Sequence, residues 1–349
     1  MENWKDIRSL NMEELTEAVA AVGEKRFRAK QIYGWMHQKL IRSGDEMKNV
    51  PVACREKLFE SFPLYGVTEV ERYVSGIDGT MKFLFALHDG NLIESVLMKY
   101  KHGNSVCISS QAGCRMGCRF CASTLLGLSR NLYPSEMLDQ IYAIQRATGE
   151  RVSHIVVMGT GEPFDNFEAL CRMIEMISDE NGLNISRRNI TVSTCGIVPK
   201  IYAFADRFPQ VTLAISLHAP NDTMRRELMP IANRYAMEEL MEAASYYVHK
   251  TGRRITFEYS LVKDQNDHPE HAQMLAALVK GLNCHINLIP VNPVKERDYE
   301  QSGQKNIRAF LHILEKHHIQ ATVRREMGRD ISAACGQLRK GYKERSGNG

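Results

Sequence analysis

The chain has 349 residues, enough for two domains or one large one with an appendage, and its 44% hydrophobic content suits a globular protein with a real core. The formal net charge of +4 is mild but unevenly placed: residues 1–100 hold 14 Lys+Arg against 15 Asp+Glu, the remainder 31 against 26. Nine cysteines, an odd number in a long chain, argue against a disulfide framework. The start MENWKDIRSL lacks the apolar run of a secretory signal, and no stretch approaches a membrane-spanning length, so no membrane role is expected and the reducing cytoplasm is the expected compartment.

Residues 12–60 read as helical: MEELTEAVAAV and KQIYGWMHQKLI carry apolar residues at three- and four-residue spacing, with Gly23 and Gly44 as stops. Short β-like runs follow at 67–74, 81–86 and 92–98, split by GIDG and HDGN turns, a small β-meander. From about residue 104 the pattern is strand, loop, helix, repeated. Strands are predicted at 106–109, 154–158, 189–193, 212–217, 255–260 and 285–289, with helices between them, for example 135–148 and 236–250. Six β/α units imply an α/β fold, a parallel sheet with covering helices forming a partial (β/α)6 TIM-like barrel, closed or nearly closed. The expected organisation is a helical accessory domain (1–64), a β-rich extension (65–103), the barrel core (104–340) and a frayed tail (341–349).

In such barrels chemistry sits at the C-terminal strand ends. There fall the run SSQAGCRMGCRFCAS, Gly161-Glu162-Pro163 in MGTGEPFDN, Ser193 in TVSTCG, Ser216, Leu217 and His218 in AISLHAP, and Asn292 in LIPVNP. Cys114, Cys118 and Cys121 form a C-x3-C-x2-C triplet, and three thiolates that close together are a metal site. A structural zinc takes four ligands, as does a simple electron-transfer cluster; three suit a [4Fe–4S] cube with one iron left open. A zinc knob closed by a distant Cys or His is the alternative. Phe120 either shields a cluster or packs in the core. Paired arginines at 187–188, 225–226, 253–254 and 324–325, with Lys25, Arg26, Arg28 and Lys30, offer phosphate grips or are solvated charge. Glu94 is a charged residue inside an apolar strand, which is unusual.

The triplet and the Gly-Glu motif together resemble the radical S-adenosylmethionine (SAM) enzymes. The resemblance narrows further: SVCISSQAGC and GRDISAACGQL, with SLHAPND, ELMPIANRY, INLIPVNP and VRREMG, are similar to the dual-cysteine radical RNA methyl synthases, the RlmN/Cfr family, across nearly the whole chain. The resemblance implies that Cys114, Cys118 and Cys121 ligate a [4Fe–4S] cluster and that Gly161, Glu162, Ser193, Ser216, Leu217, His218 and Asn292 bind SAM. It implies that Cys335 takes a methyl from one SAM, and that a 5′-deoxyadenosyl radical made from a second removes a hydrogen from that methyl. The methylene then adds to an adenine carbon, Glu94 accepts the ring proton, and Cys107 releases the product by forming a disulfide with Cys335, a thiolate exchange in which the leaving group is carbon. Direct displacement at the electron-poor carbon 2 of adenine is implausible, which is why a radical route is needed.

The implied partners are 23S rRNA, tRNA and an electron donor such as flavodoxin or ferredoxin. RNA would be gripped by backbone and shape, with the target base unstacked into the barrel mouth. Gly161-Glu162-Pro163 favours the carbon-2 branch, because the carbon-8 branch tends to carry Gly-Glu-Ala. Cys195 departs from the usual Ser-Thr-Ser-Gly, reading Ser193-Thr194-Cys195-Gly196. A non-catalytic RNA-binding protein with structural zinc, or a radical SAM enzyme of different output, leaves Cys107 and Cys335 without a joint role.

Overall fold

The computed structural model of the chain describes residues 6–291 and 299–331. Three helices come first, α1 (Met12–Ala21), α2 (Phe27–His37) and α3 (Val52–Ser61). α1 starts on a reciprocal cap: the Glu14 amide donates to Asn11 Oδ1 and the Asn11 amide to the Glu14 carboxylate, both at 2.9 Å. Strands β1 (Thr68–Val74), β2 (Met81–Ala86), β3 (Leu92–Tyr100) and β4 (Gly103–Cys107) follow, then the hairpin strands β5 (Gln111–Gly113) and β6 (Leu128–Asn131). The alternating part continues as α4 (Pro134–Thr148), β7 (Val152–Val157), α5 (Phe167–Ile177), β8 (Ile190–Thr194), α6 (Val198–Arg207), β9 (Thr212–Ser216), α7 (Asp222–Leu228), α8 (Met237–Thr251), β10 (Ile255–Leu261), α9 (Pro269–Leu278), β11 (Cys284–Pro290), α10 (Gln304–Lys316) and β12 (Ala321–Val323). α4 has Pro134 in its first turn and ends on Gly149 at φ 68°, the asymmetry expected of helix ends.

Ten strands form one sheet in the order β1-β2-β3-β4-β7-β8-β9-β10-β11-β12. β4 and β7 through β12 are parallel; β1, β2 and β3 extend that sheet antiparallel from β4. All six predicted parallel strands are present, and the expected meander is part of the main sheet. β12 is a further parallel strand that the periodicity did not reveal. The sheet has two edges, β1 and β12, so the barrel is open and does not close. One face of its inner strands is apolar: Ile190, Val192, Leu213, Ile215, Phe257 and Ile286 are fully buried, each contributing about 1.5–3 kcal/mol of transfer free energy, while the alternate positions Thr191, Ser193, Ser216, Thr256, Glu258 and Asn287 give the other face a polar character.

The N-terminal helices share the main core rather than standing off it. Buried Arg8 donates to the carbonyls of Ile41 (2.5 Å) and Tyr65 (2.7 Å) and pairs with Asp139 on α4 at 3.3 Å. Glu14 pairs with Arg172 on α5 at 2.6 Å, and His37 Nδ1 meets the Tyr142 hydroxyl at 2.9 Å. The basic run at the start of α2 leaves Lys25, Arg26 and Lys30 exposed around Phe27, itself 54% exposed. Among the described residues, no helix is long and apolar enough to cross a membrane.

Candidate active site

The cysteine loop begins where β5 ends. Gly113 (φ 92°) and Gly117 (φ 72°) take a left-handed backbone that glycine adopts without strain, and a Cβ at 117 would lie 3.3 Å from Pro230 Cγ. The loop is pinned at several points. The Cys114 amide donates to the Gly127 carbonyl at 3.1 Å, the Arg119 amide to Leu228 O at 2.9 Å, and the Thr124 hydroxyl to Cys118 O (3.2 Å) and Cys121 O (2.9 Å). Cys114 is buried, Cys118 and Cys121 half-buried, and all are free thiols. Burial above all pushes the Cys114 thiol up to about 12 and raises Cys118 as well; the charges of the neighbouring cysteines add to both. Three sulfurs thus share one region.

The loop after β7 lies flat on this one. Ser110 and Gln111 donate their amides to Thr160 O at 3.0 and 3.1 Å, and the Glu162 amide donates to Gln111 Oε1 at 2.8 Å. A Cβ on Gly159 would sit 2.7 Å from Ile108 O, and one on Gly161 (φ 110°) would sit 2.6 Å from Gln111 Cβ. The Glu162 side chain is buried and held by three donors: Thr194 Oγ1 (2.7 Å), the Cys195 amide (2.7 Å) and the Phe164 amide (2.9 Å). Burial raises its carboxyl above the usual range, the three donors opposing that shift. Ser193, one residue earlier on β8, is half-buried and points to the other face.

β9 ends at Ser216. The Leu217 and His218 amides donate to Glu258 O at 3.0 and 3.2 Å; Leu217 is fully buried. His218 has φ 57°, and its Nδ1 accepts from the Ser260 amide at 2.9 Å. Burial, then the charge of Arg225, pulls its imidazole down to about 3. The ring is therefore neutral, with its proton on Nε2. Phe120 meets it edge-on, centroids 4.6 Å apart.

Glu94 and Cys107 share the other face of β3 and β4 from the helices. Cys107 lies directly opposite Val96 and beside Val156, and Glu94 is two residues from Val96 on the same face. Glu94 is 4% exposed and pairs with buried Lys82 at 3.0 Å, which keeps a buried carboxylate electrically compensated. Val96, Met98 and Cys107 form a small apolar cluster against which Met158, Met327 and Ile331 pack. The segment bearing Met327 and Ile331 is tied to the turn between β1 and β2. Ser75 Oγ donates to Asp330 Oδ1 (2.6 Å), the Gly76 amide to Asp330 Oδ2 (2.9 Å) and the Gly328 amide to Asp78 Oδ2 (3.0 Å). Cys335 and Asn292 lie outside the described residues. The eight described cysteines carry no disulfide.

Three residues escaped the sequence reading. Lys82 sits in an apolar run much as Glu94 does, and that matched opposite charge on neighbouring strands was the available signal. Thr194 stands beside the Ser193 that was named. Arg225, expected as half of a phosphate-gripping pair or as solvated charge, is neither, being fully buried: it shares the inward face of α7 with Leu228, three residues on, while Arg226 faces out. Its Nη1 has no hydrogen-bond partner among the described residues, and its charge is felt at Cys118. Three thiols, one of them in the field of a buried cation, fit an anionic iron–sulfur cube; the soft thiolate set suits iron.

The family model described as the radical SAM superfamily matches residues 108–275, and the one described as the ribosomal RNA large subunit methyltransferase N-terminal domain matches residues 5–63. A curated protein of Lachnospira eligens, "Probable dual-specificity RNA methyltransferase RlmN", is 62% identical over 97% of this chain and 97% of its own length. One of the same description from Lachnoclostridium phytofermentans is 59% identical over 98% and 96%. The crystal structure of a radical SAM methyltransferase from Sphaerobacter thermophilus superposes with a TM-score of 0.91 at 44% identity, covering 95% of this chain and 98% of that one. With the cysteine loop, the Gly-Glu loop and both family segments in place, the chain belongs to the radical SAM superfamily and, within it, to the RlmN family.

Proposed function

We propose that the chain is a radical SAM RNA methyltransferase that methylates carbon 2 of an adenosine in the peptidyl-transferase region of 23S rRNA and of an adenosine beside the anticodon in certain tRNAs. The relatives' description as dual-specificity RNA methyltransferases supports this reading. The observation that carries it is the face shared by Glu94 and Cys107, with the segment leading to Cys335 packed against it. That placement gives a carboxylate and a thiol, two groups this reaction needs, to one surface.

Radical SAM enzymes use a [4Fe–4S] cluster and SAM, which together supply a one-electron cleavage of the sulfonium. In this chain Cys114, Cys118 and Cys121 would hold the cluster. Gly161, Glu162, Ser193, Ser216, Leu217, His218 and Asn292 would hold SAM; Glu162 offers a carboxylate, already oriented by three donors, to the methionyl ammonium. Cys335 carries the methyl that becomes the new carbon. Glu94 accepts the proton lost from carbon 2, and the Cys107 thiolate attacks the sulfur of Cys335. The carbon–sulfur bond breaks, its electron pair passes to the new methylene, which takes up one proton to become the methyl, and the two cysteines end as a disulfide. Two SAM are consumed per turnover, one as methyl donor and one as oxidant. The electron enters from a donor such as flavodoxin or ferredoxin, and the cytoplasm is the compartment that holds both the RNA and that donor.

The test is nucleoside mass spectrometry of rRNA and tRNA treated with the chain and SAM bearing a trideuterated methyl. The expected product is 2-methyladenosine whose methyl keeps two deuterium atoms. Retention of all three would sink the radical route, and 8-methyladenosine as main product would move the chain to the carbon-8 branch.

A further inference from the structure

We propose that Arg225 is the internal counter-cation of the iron–sulfur cluster and sets the potential at which that cluster accepts its electron. The proposal rests on the reading of Cys114, Cys118 and Cys121 as cluster ligands. Arg225 is fully buried at 0% exposure. Among the described residues its guanidinium bonds to uncharged carbonyls: Nε donates to Leu217 O (3.2 Å), Nη2 to Cys195 O (2.7 Å) and Ser216 O (3.2 Å). Nη1 has no hydrogen-bond partner, and the guanidinium no ion pair, among the described residues. The acid on its own helix, Asp222, accepts from the Met237 amide at 2.9 Å and faces Arg226 at 3.8 Å, so that its charge reaches Arg225 without an ion pair.

Burying a charge without an ion pair is costly, so a fold that keeps one supplies an anion from elsewhere. This fold makes room for the cation. Gly196 has φ 101°, and a Cβ there would lie 2.9 Å from Leu240 Cδ1 and 3.2 Å from Arg225 Nη2. The helix that carries Arg225 also anchors the cysteine loop through Leu228 O and the Arg119 amide at 2.9 Å. Among the cysteines, the charge of Arg225 acts on Cys118 and Cys195. A cube held by three thiolates is net negative, and more negative after reduction. A fixed cation on the helix against which Cys118 packs stabilises the reduced form more than the oxidised one, and net charge near the cluster is one of the protein's levers on potential.

The test uses the full chain, reconstituted anaerobically with iron and sulfide, in a redox titration followed by electron paramagnetic resonance. Arg225→Gln keeps donors for the strand-end carbonyls and removes the charge; Arg225→Lys keeps the charge and loses the fork. Arg225→Gln is expected to hold wild-type iron yet become harder to reduce by at least tenfold in the equilibrium, ~59 mV for one electron. Arg225→Lys is expected to stay within that margin of the wild type. Loss of iron from Arg225→Gln but not from Arg225→Lys also supports the charge role. An unchanged midpoint in Arg225→Gln, or loss of iron from both variants, overturns it. Should Arg225→Gln fail to fold, Arg225→Lys decides: a wild-type midpoint sustains the proposal and a fall beyond tenfold refutes it. Iron in the wild type, and its loss in Cys118→Ala, report separately on the ligand reading, so the two ideas fail by different measurements.

Discussion

Ser75 and Asp330, separated by 255 positions in the sequence, are joined by a 2.6 Å hydrogen bond from the Ser75 hydroxyl to the Asp330 carboxylate. Asp78 accepts the Gly328 amide in return. The β1–β2 turn therefore fastens the stretch that leads, four residues after Ile331, to Cys335. Asp330→Ala combined with Asp78→Ala should lower kcat between about ten- and a hundredfold, the scale of a displaced reacting group. Iron content and SAM affinity should stay at wild-type values. Ser75 and the Gly76 and Gly328 amides hold both carboxyls below the usual carboxylate range, so the tie is present at neutral pH and above and weakens only in strong acid. A double variant with unchanged kcat would show that the fastening is idle.

Cys107→Ala should trap a covalent adduct between the chain and its RNA through Cys335, because in the proposed route release needs a thiolate at position 107. Denaturing electrophoresis of labelled RNA with the variant reads this directly. Normal turnover by the variant would remove Cys107 from the reaction.

Glu162→Gln swaps one oxygen that accepts from Thr194, Cys195 or Phe164 for a donor. Hydrogen bonds to charged groups are worth about 1.5–3 kcal/mol each. SAM binding by equilibrium dialysis should therefore weaken at least tenfold, with the cysteine loop still holding iron. Thr194→Val should produce a smaller loss in the same direction.

The Lys82–Glu94 pair offers a double-mutant cycle. Lys82→Met removes the cation that faces Glu94 at 3.0 Å and should destabilise the apo-protein by about 3–5 kcal/mol. Lys82→Met with Glu94→Leu should recover much of that stability in thermal unfolding, yet remain inactive, since the proposed proton acceptor is gone. Recovery of activity by the double variant would exclude Glu94 from the chemistry.

Asp6 supplies a pH dependence. Burial raises its carboxyl to about 7 against the opposing influence of Arg8. A raised carboxyl keeps its proton in the folded state over a range where the unfolded chain has lost it. Its favourable contribution is thus full below the ordinary value of 3.8 and gone once the pH passes about 7. Wild type should lose thermal stability between pH 5 and pH 8 relative to Asp6→Asn, by no more than ~4 kcal/mol. Parallel curves for the two proteins would refute the assignment.

Most of the fold was legible because its strands are apolar runs bounded by turn residues, and all six predicted parallel strands lie within a few residues of their positions. β5 and β12, three residues each, are too short to show a period. Site residues were legible where chemistry is written in spacing, as in the cysteine triplet. They were hidden where the face of an element decides. A one-residue step along β8 separates Ser193 from the Thr194 that holds Glu162, and such a step reverses the direction of a side chain. Arg225 and Arg226 look equivalent in a string of letters, but helix geometry sends one inward and one to water.

Cys107, the last residue of β4, is paired with Val96 of β3 on one flank and Val156 of β7 on the other. Its backbone is thus held by two neighbouring strands, so in the proposed reaction the resolving thiol waits at one fixed place on the sheet, as an anvil does.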